Sequence, residues 1–88
     1  MVEQTVKLVN PTGLSLHPAG VLCREAMAYR CSVHFRFGNV EGNAKSVLSV
    51  LGADVRTGDE ITLICDGADE EEALKHMVDL IEGGLGEQ

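Results

Sequence analysis

Eighty-eight residues supply one hydrophobic core and leave no room for a second, so residues 1–88 are expected to form a single domain. The composition, 44% apolar and 24% charged, is that of a folded chain and argues against disorder. A formal net charge of −7 and few aromatics (Tyr29, Phe35, Phe37) argue against a general nucleic-acid surface and favour partners with basic faces.

Cys23, Cys31 and Cys65 are odd in number and form no Cys-x-x-Cys pair. They point to a reducing compartment and to small apolar side chains rather than a disulfide framework. No charged start precedes an apolar leader, and no apolar run approaches the ~20 residues that span a bilayer. A cytoplasmic protein without membrane contact is therefore expected.

Val2 to Val9 reads as a strand, broken by Pro11-Thr12-Gly13. Ser15 follows as a helix N-cap whose hydroxyl is expected to accept a first-turn N–H, with Pro18 tolerated in that turn. Ala19, Leu22, Cys23, Ala26 and Met27 mark the buried stripe. Ser32 to Phe37 alternates cleanly as a strand, Gly38-Asn39 turns the chain, and Val40 to Asn43 returns beside it. Ser46 to Leu51 reads as a short helix capped by Ser46 and stopped by Gly52. After the turn Thr57-Gly58-Asp59 comes a strand, Glu60 to Cys65. The last helix opens with Asp69 and Glu72 at capping-box spacing. It buries Ala73, Leu74, Met77, Val78 and Ile81, and ends at Gly83-Gly84. The order β-α-β-β-α-β-α, with strands wet on one face, predicts an α+β open-faced sandwich.

Three separated runs resemble the HPr family, the histidine-containing phosphocarriers of the bacterial sugar phosphotransferase system. Gly13-Leu14-Ser15-Leu16-His17-Pro18-Ala19 resembles the family's Gly-[Leu/Ile]-His-x-Arg-Pro-Ala. Lys45-Ser46-Val47-Leu48-Ser49-Val50-Leu51 resembles its second site, and Gly67 to Leu74 resembles the start of its last helix. The resemblance implies an HPr-like open-faced β-sandwich, a four-stranded antiparallel sheet with three helices on one face. It also implies a carrier rather than an enzyme, with protein partners and no cofactor.

The departures fall on the reactive centre. The family's phosphorylated histidine falls on Ser15, and the arginine that helps hold its phosphoryl group falls on His17. Imidazole relays phosphate because its N–P bond is labile and its pKa lies near neutrality. A serine hydroxyl needs a general base, and its ester is too stable to pass on easily. His17 is the one nearby imidazole, but two residues along a helix is a rotation of about 200° and a rise of about 3 Å. Its ring is therefore not expected to overlie the family's imidazole. His34 and His76 have no carboxylate or cysteine neighbour at metal-ligand spacing, and no metal is expected.

Ser46 reads from residue type alone as a helix cap. The resemblance implies more, because in the low-GC Gram-positive branch the corresponding serine is phosphorylated by an ATP-dependent kinase/phosphorylase. A phosphate there meets free N–H groups at a helix start, and Lys45 adds a local positive charge. Val47, Leu48 and Leu51 then form an apolar docking patch, cover the sheet, or do both.

A kept Ser46 beside a lost imidazole resembles the regulatory paralogue Crh, in which glutamine replaces the histidine. The leading expectation is a regulatory member phosphorylated on Ser46 and bound by HPr kinase/phosphorylase and by a catabolite-control repressor or a metabolic enzyme. The alternatives are a sugar-transport phosphocarrier using His17, with enzyme I and transporter components as partners, and an interaction module indifferent to Ser46→Ala.

Overall fold

The structure, a computed structural model, describes residues 1–87. Four strands, β1 (Val2–Lys7), β2 (Ser32–Phe37), β3 (Val40–Asn43) and β4 (Glu60–Asp66), form one sheet in the order β1-β4-β2-β3, and every neighbouring pair is antiparallel. Three helices, α1 (Leu16–Ala26), α2 (Val47–Gly52) and α3 (Glu70–Glu82), cover one face. The element order and architecture are those expected from the sequence.

Period-two alternation decides which face is covered. Val6, Val33, Phe35, Ile61, Leu63 and Cys65 are at most 3% exposed and point to the helices. They meet Ala19, Leu22 and Ala26 of α1, Val50 of α2, and Ala73, Met77, Val78 and Ile81 of α3 in one core. The opposite face is polar, with a Thr5–Thr62 hydroxyl pair at 2.9 Å and an Arg36–Glu3 ion pair at 3.4 Å. Cys31 and Cys65 are buried free thiols, as their residue type suggests. Burial pushes the Cys31 thiol up to about 12, so its reactive thiolate is scarce.

Four local expectations are corrected. β1 ends at Lys7 rather than Val9, because Leu8 turns to exchange backbone bonds with Gly58 and Asp59. Met27 is 65% exposed: α1 ends at Ala26, Met27 is its C-cap, and the chain leaves through tighter turn bonds, Ala28 N–H to Glu25 O and Tyr29 N–H to Ala26 O, both at 3.2 Å. Gly52 lies inside α2, and the left-handed residue that ends the turn is Asp54 (φ 53°). Asp69 stands at the N-cap of α3 without capping it. Its φ of −106° and ψ of 26° are not the extended geometry of a cap, and its carboxylate accepts the backbone N–H groups of Arg30 and Cys31, both at 2.9 Å. The carboxylate that reaches back along the chain is that of Glu70, on Gly67 N–H at 3.1 Å.

Candidate functional site

The segment between β1 and α1 is fixed by backbone bonds before any side chain is counted. Leu14 N–H reaches Val55 O at 2.9 Å, and Gly58 N–H reaches Leu8 O at 2.7 Å. Gly13 adopts φ +59°, and a Cβ there would lie 2.6 Å from Arg56 Cα, so both conformation and space demand glycine. Asn10, 1% exposed, donates from Nδ2 to Gly13 O at 2.7 Å.

This loop delivers Ser15 to the N-cap position of α1, exposed and with extended backbone. The expected cap bond is absent. A cap hydroxyl bonds the second or third helical N–H, and here the third helical residue is Pro18, which has none. Ser15 Oγ instead donates to Thr12 Oγ1 at 2.8 Å. Thr12 Oγ1 donates in turn to Glu87 Oε1 at 2.7 Å, and the same carboxylate oxygen accepts Asn10 Nδ2 at 2.8 Å and Thr12 N–H at 3.3 Å. These hydrogen bonds, Asn10's first, hold the Glu87 carboxyl below the usual range, and the charge of His17 adds to them. Sequence reading missed Glu87: the contact spans 75 residues and no local pattern announces it.

His17 is exposed on the first turn of α1, on a shallow surface shared with Leu16, Gly20, Val21 and Arg24. Leu16 is 71% exposed. The second candidate region lies on α2, which packs against α1. Ser46 caps α2 as expected, its Oγ accepting Ser49 N–H at 3.3 Å. Val50 faces the core, Val47 and Leu51 are half-buried against it, and Leu48 is 78% exposed. The short helix thus has an inner row and an outward leucine. Lys45 is committed elsewhere: its Nζ donates to Tyr29 O at 2.7 Å, and its carbonyl accepts the Cys23 thiol at 3.1 Å. Among the described residues no group of three His, Cys, Asp or Glu is placed to hold a metal ion, and no helix is long and apolar enough to cross a membrane.

Fold and loop geometry agree with what comparison finds. The family profile described as "PTS HPr component phosphorylation site" matches residues 2–83, and the chain belongs to the HPr family, whose members are phosphocarrier proteins rather than enzymes. HPr-like protein Crh of Bacillus subtilis (strain 168) is 38% identical over 77 residues, covering 88% of this chain and 91% of that one. Phosphocarrier protein HPr of Mycoplasma genitalium is 39% identical over 66 residues, covering 74% and 75%. Among solved structures, HPr-C-His from Thermoanaerobacter tengcongensis superposes with a TM-score of 0.96 at 36% identity, covering 100% of this chain and 99% of that one.

Proposed function

We propose that this chain is a cytoplasmic regulatory member of the HPr family, phosphorylated on Ser46 and acting by binding other proteins instead of relaying phosphate to sugars. The observation that carries the reading is a serine at the family's histidine position in an otherwise matching motif, beside a kept Lys45-Ser46-Val47 run. An alcohol nucleophile forms a phosphoester whose onward transfer is uphill compared with an N–P bond, so Ser15 ends a relay rather than serving one. His17 takes the role of a contact residue on the surface it shares with Leu16 and Arg24.

Phosphorylation places about −1.5 to −2 charges on Ser46. The phosphate then stands next to Leu48 and the half-buried Val47 and Leu51, an apolar patch with an anion at its edge. A partner that fits offers a basic pocket beside an apolar one; a catabolite-control repressor or a metabolic enzyme is the class expected. Lys45 serves here by tying the end of α1 to the start of α2, not as a free cation. The similarity to the Bacillus subtilis protein called Crh supports the regulatory branch.

The test is incubation with ATP and an HPr kinase/phosphorylase, read by intact mass. Wild type is expected to gain one phosphate that survives acid, and Ser46→Ala none. No gain in wild type overturns the proposal.

A further inference from the structure

β1 pairs with β4 on one side, and the sheet ends at its other side. Leu8 N–H bonds Asp59 O at 2.8 Å, and antiparallel alternation back from that bond turns the backbone groups of Val2, Gln4 and Val6 toward β4. The N–H and C=O groups of Glu3, Thr5 and Lys7 therefore point away from the sheet. Among the described residues no backbone bond outside the ladder uses them. The strand is held at both ends, by the Met1 ammonium on Glu70 at 2.8 Å and by the Leu8 bond, so its free edge is a fixed template.

Beside this edge, on the helix face, runs a groove of about 350 Å³ between β1 and α3. Its floor is apolar, with Val2, Leu74 and the buried Val78. Gln4 points to the same side and is exposed, so α3 leaves the edge uncovered. Glu71 stands at the end where α3 begins, and Asp79 and Glu82 at the other. Lys75, also on the rim, is drawn to Asp79 at 3.5 Å, which leaves the groove net negative. From Glu71 to Glu82 the helix rises about 16 Å, the length of about five strand residues. We propose that the β1 edge and this groove take an extended segment of another protein as a fifth strand, apolar at its centre and basic at both ends. Backbone bonds to Glu3, Thr5 and Lys7 give the affinity, and the groove with its acids selects the sequence. A second copy of this chain fits worse, because antiparallel pairing of two β1 edges sets two acidic α3 rims side by side. Nothing in this requires modification of Ser46, so the inference stands or falls separately from the regulatory reading.

The probe is the end-blocked peptide Arg-Thr-Val-Thr-Val-Thr-Arg, titrated while backbone amides are followed by nitrogen–proton correlation spectra. Paired antiparallel with β1, it sets its threonines opposite Glu3, Thr5 and Lys7 and its valines and arginines on the groove side. Saturable shifts centred on those three amides and on Leu74 and Val78 are expected. In this register only the threonine N–H groups bond β1. N-methylation of the threonines is therefore expected to abolish binding, and N-methylation of the valines to preserve it. Glu71→Gln combined with Glu82→Gln is expected to bind the peptide about fivefold more weakly, the scale of two exposed ion pairs. No saturable shift, equal binding of the two methylated peptides, unchanged affinity in the double variant, or shifts of these amides with protein concentration alone, as a second copy would give, overturns the proposal.

Discussion

At the scale of single residues, two polar side chains at helix starts, Asp69 and Ser15, bond elsewhere than to the helices they precede. Asp69 is the clearest case. Its position three residues before Glu72 predicts a capping box, yet its carboxylate holds Arg30 and Cys31, on the chain leading into β2. Those two backbone N–H bonds keep its carboxyl below the ordinary value of 3.8. A carboxyl depressed in the folded state stabilises fully above its unfolded value and loses that contribution as pH falls through the folded one. The contribution of this group is therefore expected to be fully present and flat with pH near neutrality, and to be lost on the acid side as pH falls below the ordinary carboxylate value. Asp69→Ala is expected to melt at a lower temperature at neutral pH and to converge with wild type as pH falls, measured by thermal melts across that range. A difference that stays constant down to the acid limit contradicts the assignment. Ser15 follows the same logic. Residue type makes it a cap, but Pro18 removes one of the two N–H groups a cap hydroxyl bonds, and the Ser15 hydroxyl donates to Thr12 Oγ1, itself bound to Glu87.

At the scale of elements, periodicity placed every strand and helix, because each buries a single face against one core and writes that face into the sequence. Ends were less legible. Met27 continues the helical spacing of Leu22, Cys23 and Ala26, and nothing local shows that α1 stops one residue before it. Gly42 shows another kind of information that sequence hides. It faces Phe35 across the β2–β3 ladder, and the fully buried Phe35 ring fills the space where its side chain would stand. A Cβ at Gly42 would lie 2.4 Å from Phe35 Cζ and 2.8 Å from Ser49 Oγ. Gly42→Ala is expected to cost about 1–3 kcal/mol, the range for overpacking a core, read as a lower denaturant midpoint. Because Ser49 also holds Asn43 N–H at 2.9 Å, the same change is expected to disturb the start of α2, which carries Ser46. A neutral substitution would show that the ring can move aside freely.

At the scale of the whole molecule, the family motifs carried more than periodicity could. Alternation and helical spacing give seven elements in order, but the strand sequence β1-β4-β2-β3 depends on long-range pairing that no local window contains. The resemblance of Gly13 to Ala19 and of the Lys45 run implied a four-stranded antiparallel sheet with three helices on one face, which the structure bears out, but it named no strand order. Two candidate regions, Ser15 with His17 on α1 and Ser46 with Leu48 on α2, are brought onto helices that touch each other. Glu87 stayed hidden because it meets Asn10 and Thr12 only once α3 has returned the chain beside β1.

The measurement that bears most directly on the loss of the relay is phosphoryl transfer from phosphoenolpyruvate through enzyme I, with the acid stability of any phosphate on the protein as the readout. No acid-labile phosphate and no onward delivery to a sugar transporter component are expected, from wild type or from His17→Ala. An acid-labile phosphate on wild type that disappears in His17→Ala, passed on at the rate of a histidine-bearing family member, would contradict the reading of Ser15 as the end of the relay.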